Sequence, residues 1–146
     1  MEVFFNDKLC ISGNSNAFIN PTIEVGLIYA GSLLEFLGLK VSGHPEPKLS
    51  ARKGRFNKGE VLIEDFSTNG VPLEKVTVKQ AIDAYNGDRN TAELALRTVI
   101  CDASEGVAHL TSKREKLDGL FDYYICAVKG IFELLRHYFY KKLGRD

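Results

Sequence analysis

The sequence predicts a mainly α protein, a four-helix up-and-down bundle with a small extended or hairpin excursion near residues 60–76. Apolar residues recur at the helical period between residues 117 and 139, the strongest periodic pattern in the chain. Capping-box patterns predict further helix starts upstream of it. We expect a single helical domain over residues 1–146, because a chain of 146 residues has the size of one ordinary domain.

The first long helix is predicted over residues 21–39. Asn20 is a good N-cap residue, and Pro21 suits the first helical position, where its missing N–H costs nothing. Gly38 is a natural residue for the end of this helix. Apolar side chains surround the helix almost completely, so we expect it to be central or to meet a second subunit. Residues 3–11 are compatible with either a strand or a helix.

Three further helix starts carry capping boxes, in which a polar side chain and a Glu or Gln three residues later cap each other's backbone N–H groups. The pairs are Thr77 with Gln80, Asn90 with Glu93, and Ser112 with Glu115. The last pair predicts a closing helix that begins at about Lys113. Lys141 and Lys142 in its last turn complement the negative end of the helix dipole.

Two segments between the first and second predicted helices, residues 40–58 and 60–76, lack helical periodicity. Residues 40–58 are rich in Pro, Gly and Ser and in basic side chains, and they predict an exposed loop. Residues 60–93 are acidic, so we expect the two segments to pair in part. Within them Asn69 and Gly70 predict a hairpin turn, and Pro72 limits its second arm to an edge.

Composition and charge restrict the class of protein. Apolar residues make up 45% and charged residues 26%, as in an ordinary soluble domain. Lys plus Arg and Asp plus Glu both number 19, which argues weakly against a dedicated nucleic-acid protein. We expect no signal peptide and no membrane span. Three cysteines at wide spacing favour reduced thiols, and therefore a cytoplasmic protein.

The common catalytic motifs are missing from the sequence. Gly54 and Gly59 have the glycine spacing of a phosphate-binding loop, but Glu60 stands where its lysine must be. The histidines and cysteines are not paired at the short spacings of a zinc site. No G-x-S-x-G nucleophile elbow occurs. We therefore assign no catalytic residue, no metal and no cofactor.

The joint before the closing helix is a candidate anion-binding site. His109, Thr111 and Arg114 stand at a predicted helix N-terminus, where free N–H groups and the helix dipole favour an anion. The alternative is purely structural: Ser112 caps the helix, and His109 hydrogen-bonds a neighbouring backbone group.

The basic loop is a candidate RNA-binding segment. Its cations could contact phosphates and its aromatic ring could stack on a base. The candidate residues are Lys48, Arg52, Lys53, Arg55 and Phe56. The alternative is an ordinary solvated loop.

Small residues on the back of the closing helix form a candidate dimer seam. Gly119, Cys126 and Gly130 recur at steps that let another backbone approach closely. The alternatives are a contact with a second helix of the same chain, or a face left solvated.

The order of these segments resembles small bacterial helical proteins related to the HEPN superfamily. The resemblance lies in "NPTIEVGLIYAGSLLEFLGL", "EVLIEDF", "GVAHLTSKRE" and one long closing helix. It implies a four-helix up-and-down bundle that often dimerises, in a superfamily rich in ribonucleases and in defence or toxin–antitoxin components. The nuclease members carry an arginine followed by a histidine after four to six residues. Here Arg136 and His137 are adjacent, and His109 precedes Arg114, so the resemblance supports the fold more than the activity.

The sequence is compatible with two functions. The first is a non-enzymatic helical interaction protein, a homodimer that acts through its surface or through the anion-binding joint. The alternative is an RNA-binding or RNA-cleaving protein that uses His109, Arg114 and the basic loop of residues 40–58. The expected partners are a second copy of the chain, another protein or RNA, but not a membrane.

Overall fold

The computed structural model describes residues 2–13, 16–55, 57–85, 88–104 and 117–145, without the side chains of residues 3, 5, 9–11, 16–20 and 117–119. The helices and strands are β1 (Glu2–Phe5), β2 (Lys8–Ser12), α1 (Asn16–Phe36), β3 (Leu39–Ser42), β4 (Lys48–Ala51), β5 (Ser67–Thr68), β6 (Val71–Pro72), α2 (Val78–Asp83), α3 (Arg89–Ser104) and α4 (Leu117–Leu135). A 3₁₀ turn spans Ile63–Asp65, and α4 continues into a π-helical turn, Arg136–Tyr140, and a 3₁₀ turn, Lys141–Leu143.

The predicted four-helix up-and-down bundle is wrong. Helices dominate, but the described residues also form three antiparallel strand pairs, and α2 has only 6 residues. The ring of Phe36 at the end of α1 contacts that of Phe139 just beyond α4, with centroids 5.2 Å apart. The two C-terminal ends therefore lie side by side, and α1 and α4 run in the same direction. The outer helices of an up-and-down bundle of four would run in opposite directions.

Helix α3 is the element around which the other helices pack. It contacts α1, α2, α4 and the β3–β4 pair. The hydroxyl of Tyr124, early in α4, donates a hydrogen bond of 2.7 Å to Asp102, late in α3, so these two helices are antiparallel. The buried core residues of the three long helices are Leu27, Ala30, Leu34, Ala95, Leu96, Val99, Ile100, Tyr124, Ala127, Ile131, Leu134 and Leu135. Each fully buried Leu, Ile or Val contributes about 1.5–3 kcal/mol to stability.

The strand pairs occupy places where the sequence is ambiguous or reads as a loop. Residues 3–11 are compatible with a strand or a helix in the sequence, and in the structure they lie in strands β1 and β2. In the turn between these strands, Asn6 and Asp7 have φ values of 50° and 59°. These are the left-handed conformations that a tight hairpin turn requires. The predicted exposed loop of residues 40–58 is wrong in its first half, because β3 pairs with β4 there. The hairpin turn predicted at Asn69 and Gly70 is confirmed between β5 and β6.

The C-terminal part of α1 packs in the hydrophobic core. Gly38 follows it at φ 96°, a conformation that favours glycine, and it directs the chain into β3. The predicted start of α1 is wrong, since the helix begins at Asn16 and Pro21 lies inside it. Within the described ranges, no helix combines the length and the apolar character needed to cross a membrane.

Of the three predicted capping boxes, one is confirmed, one is wrong and one lies outside the described residues. The capping box of Thr77 and Gln80 is confirmed at the start of α2. At the start of α3, however, the N-cap is Asp88 rather than Asn90, because the Asp88 carboxylate accepts the Thr91 N–H at 2.8 Å. An ionised carboxylate also interacts favourably with the positive end of the helix dipole. The third predicted box, Ser112 with Glu115, lies outside the described residues.

The close approach of α1 and α3 can be tested with two glycines of the same helix. A methyl group on Gly31 would lie 2.4 Å from the Ala103 side chain, whereas one on Gly26 would meet nothing within 4 Å. We predict that Gly31→Ala lowers the free energy of unfolding by about 1–3 kcal/mol through overpacking. The matched change Gly26→Ala should leave it unchanged or raise it by up to about 1 kcal/mol, because alanine favours helix. Urea denaturation measures both, and equal effects of the two changes would contradict the close approach.

Candidate interaction surface

Large apolar side chains are exposed along both α1 and α4. On α1 they form a line one turn apart, and on α4 they follow steps of four, three and four residues. We call this set the α1–α4 face: Val25, Tyr29, Leu33, Phe121, Ile125, Val128 and Phe132. Tyr29 is 66% exposed and Phe132 is 68% exposed, so these two rings are the most exposed side chains of the face.

The helices that carry these two lines of side chains contact each other. The ring of Phe36 at the end of α1 packs on that of Phe139 just beyond α4, with centroids 5.2 Å apart. Val25, Tyr29 and Leu33 therefore lie on a helix that is in direct contact with the helix of the second line.

The line of apolar side chains on α4 is exposed because too few helices pack on α4 to cover it. The inner side of α4, with Tyr124, Ala127 and Ile131, packs on α1 and α3. The apolar residues of α4 extend well beyond that side, and the short helix α2 does not reach them. A helix with an apolar stripe this wide is buried on more than one side in a complete structure.

Charged residues line the edge of α4 that lies away from α1. Asp122, Lys129, Glu133 and Arg136 are all exposed, two acids and two bases. Glu133 lies 3.8 Å from the guanidinium of Arg136 and 3.8 Å from Nδ1 of His137. The edge is therefore neutral in sum, with alternating sign along the helix.

The predicted dimer seam lies on the other side of α4. Gly130 is buried and Cys126 is half-buried, and both line a narrow gap with Tyr85 of the segment after α2 and Ala92 of α3. The Tyr85 hydroxyl donates to the Cys126 Sγ at 2.9 Å, and this contact raises the pKa of Tyr85. Cys126 and Gly130 thus make the second-helix contact, inside the chain. For Gly119 the structure describes the helical backbone alone.

The predicted RNA-binding residues fall into two groups. The side chain of Arg52 is 2% exposed and bonds the Glu60 carboxylate, while Arg55 pairs with Asp65. These two contacts confirm the expected pairing between the basic and acidic segments. Lys48, on β4, and Lys53, just after it, are exposed.

Several residues singled out in the sequence lie outside the described part of the chain. They are Phe56, His109, Thr111 and Arg114. The structure therefore does not test the anion-binding joint.

A polar cleft of about 220 Å³ lies between α2 and the π-helical turn. It is lined by Gln80, Asp83, Ala84, Glu133, His137 and Tyr138. Its carboxylates already face basic groups: Asp83 pairs with Arg89, and Glu133 lies beside Arg136 and His137. In the described ranges, no three His, Cys, Asp or Glu side chains are grouped so that they could hold a metal ion.

The comparisons with known proteins identify no relative. No protein-family model, no curated protein and no solved structure matches this chain. The case for a function therefore depends on the physical properties of the surface.

The Asp65 carboxylate makes stability depend on pH. The Leu62 N–H donates to it at 2.8 Å and Arg55 pairs with it, and together they hold the pKa of Asp65 below its ordinary value of 3.8. A lowered pKa means that the contribution of the Asp65 carboxylate to the free energy of unfolding is present above pH 3.8. This contribution is lost as the pH falls through the folded-state pKa.

We predict that Asp65→Asn lowers the free energy of unfolding at pH 7, and that the difference from the wild type shrinks as the pH falls below 4. Denaturation curves of both proteins at several pH values measure this. A difference that stays constant with pH would show that the charge on Asp65 does not contribute.

Proposed function

We propose that the chain is a non-enzymatic interaction protein that works as a homodimer, with the α1–α4 face as its contact surface. The observation that carries this proposal is the number of large apolar side chains that are exposed on two contacting helices. The occupant to which we commit is a second copy of the same chain.

The area of the face supports a stable partner. The exposed fractions of its seven side chains amount to roughly 550 Å² at ordinary side-chain sizes. The largest apolar patch of a typical monomer is about 300–600 Å² and is often functional. One partner in a standard-size interface buries about 800 Å². The face therefore lies at the upper end of what a solitary domain leaves in water, and it supplies much of what a dimer needs.

Charge permits two copies to approach each other. The chain has a formal net charge of zero, so copies do not repel one another at long range. The charged edge beside the face contains both signs and can be complementary to itself. A strongly basic or acidic partner is not favoured by such an edge.

We further propose a cytoplasmic location. Cys126 is a half-buried thiol whose Sγ accepts a hydrogen bond from the Tyr85 hydroxyl, as expected of a reduced cysteine in a reducing compartment.

Phe132 provides the direct test of the dimer. We predict that Phe132→Asp weakens self-association by about 100-fold or more, because each dimer would lose two buried rings and gain two buried carboxylates. Light scattering coupled to size-exclusion chromatography measures the mass over a range of concentrations. The matched control is Val71→Asp, which adds the same charge to a side chain 67% exposed on β6 and should leave the mass unchanged. A wild type that stays monomeric at high concentration would contradict the proposal.

The alternative function is binding or cleavage of RNA, as in the HEPN ribonucleases that the sequence resembles. The observation that favours it is the outer side of the β3–β4 pair, where Lys48 lies across from Ser42. The hydroxyls of Ser42 and Ser50 are 2.8 Å apart on the same side. Lysines beside hydroxyls are suited to phosphate contacts, with His109 and Arg114 as the residues that would act on the RNA.

We predict for this alternative that Lys48→Glu together with Lys53→Glu weakens binding to a mixed RNA pool at low salt, and that added salt weakens the wild type in the same way. Fluorescence anisotropy measures the binding, and gel analysis beside a His109→Ala, Arg114→Ala variant measures cleavage. The control Lys79→Glu, on α2, removes a lysine from another surface. Binding unaffected by both salt and the Lys48 and Lys53 changes would exclude the alternative.

A further inference from the structure

The exposed line on α4 has the spacing of a helix–helix seam. Its members lie at steps of four, three and four residues, which are the a and d positions of a heptad. Ile125 and Phe132 take the a positions, and Phe121 and Val128 take the d positions. This spacing suits α4 to pack lengthwise against another helix rather than against a flat surface.

The two flanks of the line differ in their surroundings. The flank that corresponds to g contains Tyr124 and Ile131, which are buried against α1 and α3 of the same chain. The flank that corresponds to e contains Asp122, Lys129 and Arg136, all exposed. Only the e flank can therefore contribute charges to a contact with a second copy.

This difference decides the direction of packing. Two parallel helices bring the g flank of one against the e flank of the other. Here the g flank is already occupied, so a parallel pair would leave the exposed charges without partners. Two antiparallel helices bring e against e, and also bring the α1 side of one copy against the α1 side of the other.

The antiparallel register follows from the apolar line itself. When the apolar line of one α4 overlaps completely with the line of the second copy, Ile125 lies against Val128 of the partner subunit. In the same register Phe132 lies against Phe121 of the partner subunit. In that register Asp122 faces Lys129 of the partner subunit, and two-fold symmetry repeats the pair. Opposite charges meet on both sides of the axis.

We infer that the homodimer is an antiparallel, two-fold pairing of α4 with α4, fixed in register by two reciprocal contacts between Asp122 and Lys129. Tyr29 on α1 of each copy flanks the same seam and extends it. The inference rests on the proposed function and specifies the geometry of that contact.

Reversing the charges tests the register. Asp122→Lys brings lysine against lysine twice, and Lys129→Asp brings aspartate against aspartate twice. We expect each single change to weaken dimerisation by about 10-fold at low salt, since exposed ion pairs are modest and like charges repel by similar amounts. The double variant Asp122→Lys, Lys129→Asp restores opposite charges and should return the dissociation constant to within about 3-fold of the wild type. Sedimentation velocity at two salt concentrations measures all four proteins.

Matched controls separate the register from a change in net charge. Glu74→Lys and Lys79→Asp make the same changes in charge at exposed positions outside α4, and they should leave the dissociation constant within about 3-fold of the wild type. A dimer that is indifferent to the changes at Asp122 and Lys129, or a double variant that is weaker than both singles, would overturn the antiparallel register while leaving the homodimer intact. A monomeric wild type would overturn both.

Discussion

The central constraint on this structure is that α3 packs against both α1 and α4, while the described part of the chain contains no fourth long helix to cover them. Gly31 lets α1 approach α3 closely at Ala103, and the buried faces of α1, α3 and α4 form one core. Helices α1 and α4 have more apolar surface than the described elements packed against them bury. In a four-helix bundle a further helix of similar length would cover the remaining side. Here α2 is less than two turns long, so one side of α1 and α4 stays open.

The orientation of the open side depends on the aromatic residues at the C-terminal ends of the helices. Phe36, Phe66 and Phe139 pack edge to face, with centroids 4.9–5.9 Å apart. Phe66 comes from the segment between β4 and α2, which the Arg52–Glu60 and Arg55–Asp65 pairs also hold in place. This cluster holds the C-terminal ends of α1 and α4 together, and so it helps to position the two helices that carry Tyr29 and Phe132. The aromatic cluster, although distant from the centre of the proposed interface, thus determines its shape.

Patterns formed by a few nearby residues could be predicted from the sequence. The cap of α2 needs only Thr77 and Gln80, and the turn between β5 and β6 needs only Asn69 and Gly70. The β3–β4 pair was missed because its outer side alternates lysine with serine, so it lacks the apolar character by which strands are usually recognised. The β3–β4 pair packs on α1 and α3, and a local sequence pattern does not contain this packing.

The candidate site was harder to predict than the fold. The long apolar pattern in α4 combines two sides, one covered by α1 and α3 and one exposed, and periodicity alone does not separate them. The small residues on its back suggested a seam, but whether Gly130 faces a second subunit or α3 depends on tertiary packing. The residues from Phe121 to Phe132 alternate steps of four and three, and so do the buried residues from Tyr124 to Leu134 beside them, so spacing marks two apolar lines without showing which one is exposed. Recognising the exposed line required knowing which side α3 occupies.

The most direct test of the α1–α4 face as a self-association surface is hydroxyl-radical footprinting of the wild-type chain across a range of concentrations. The account predicts that oxidation of Tyr29 and Phe132 falls together as the concentration rises, while Tyr140, 46% exposed beyond the end of the apolar line, is oxidised at a constant rate. Oxidation of Tyr29 and Phe132 that is independent of concentration, or protection of Tyr140 to the same extent, would contradict the account.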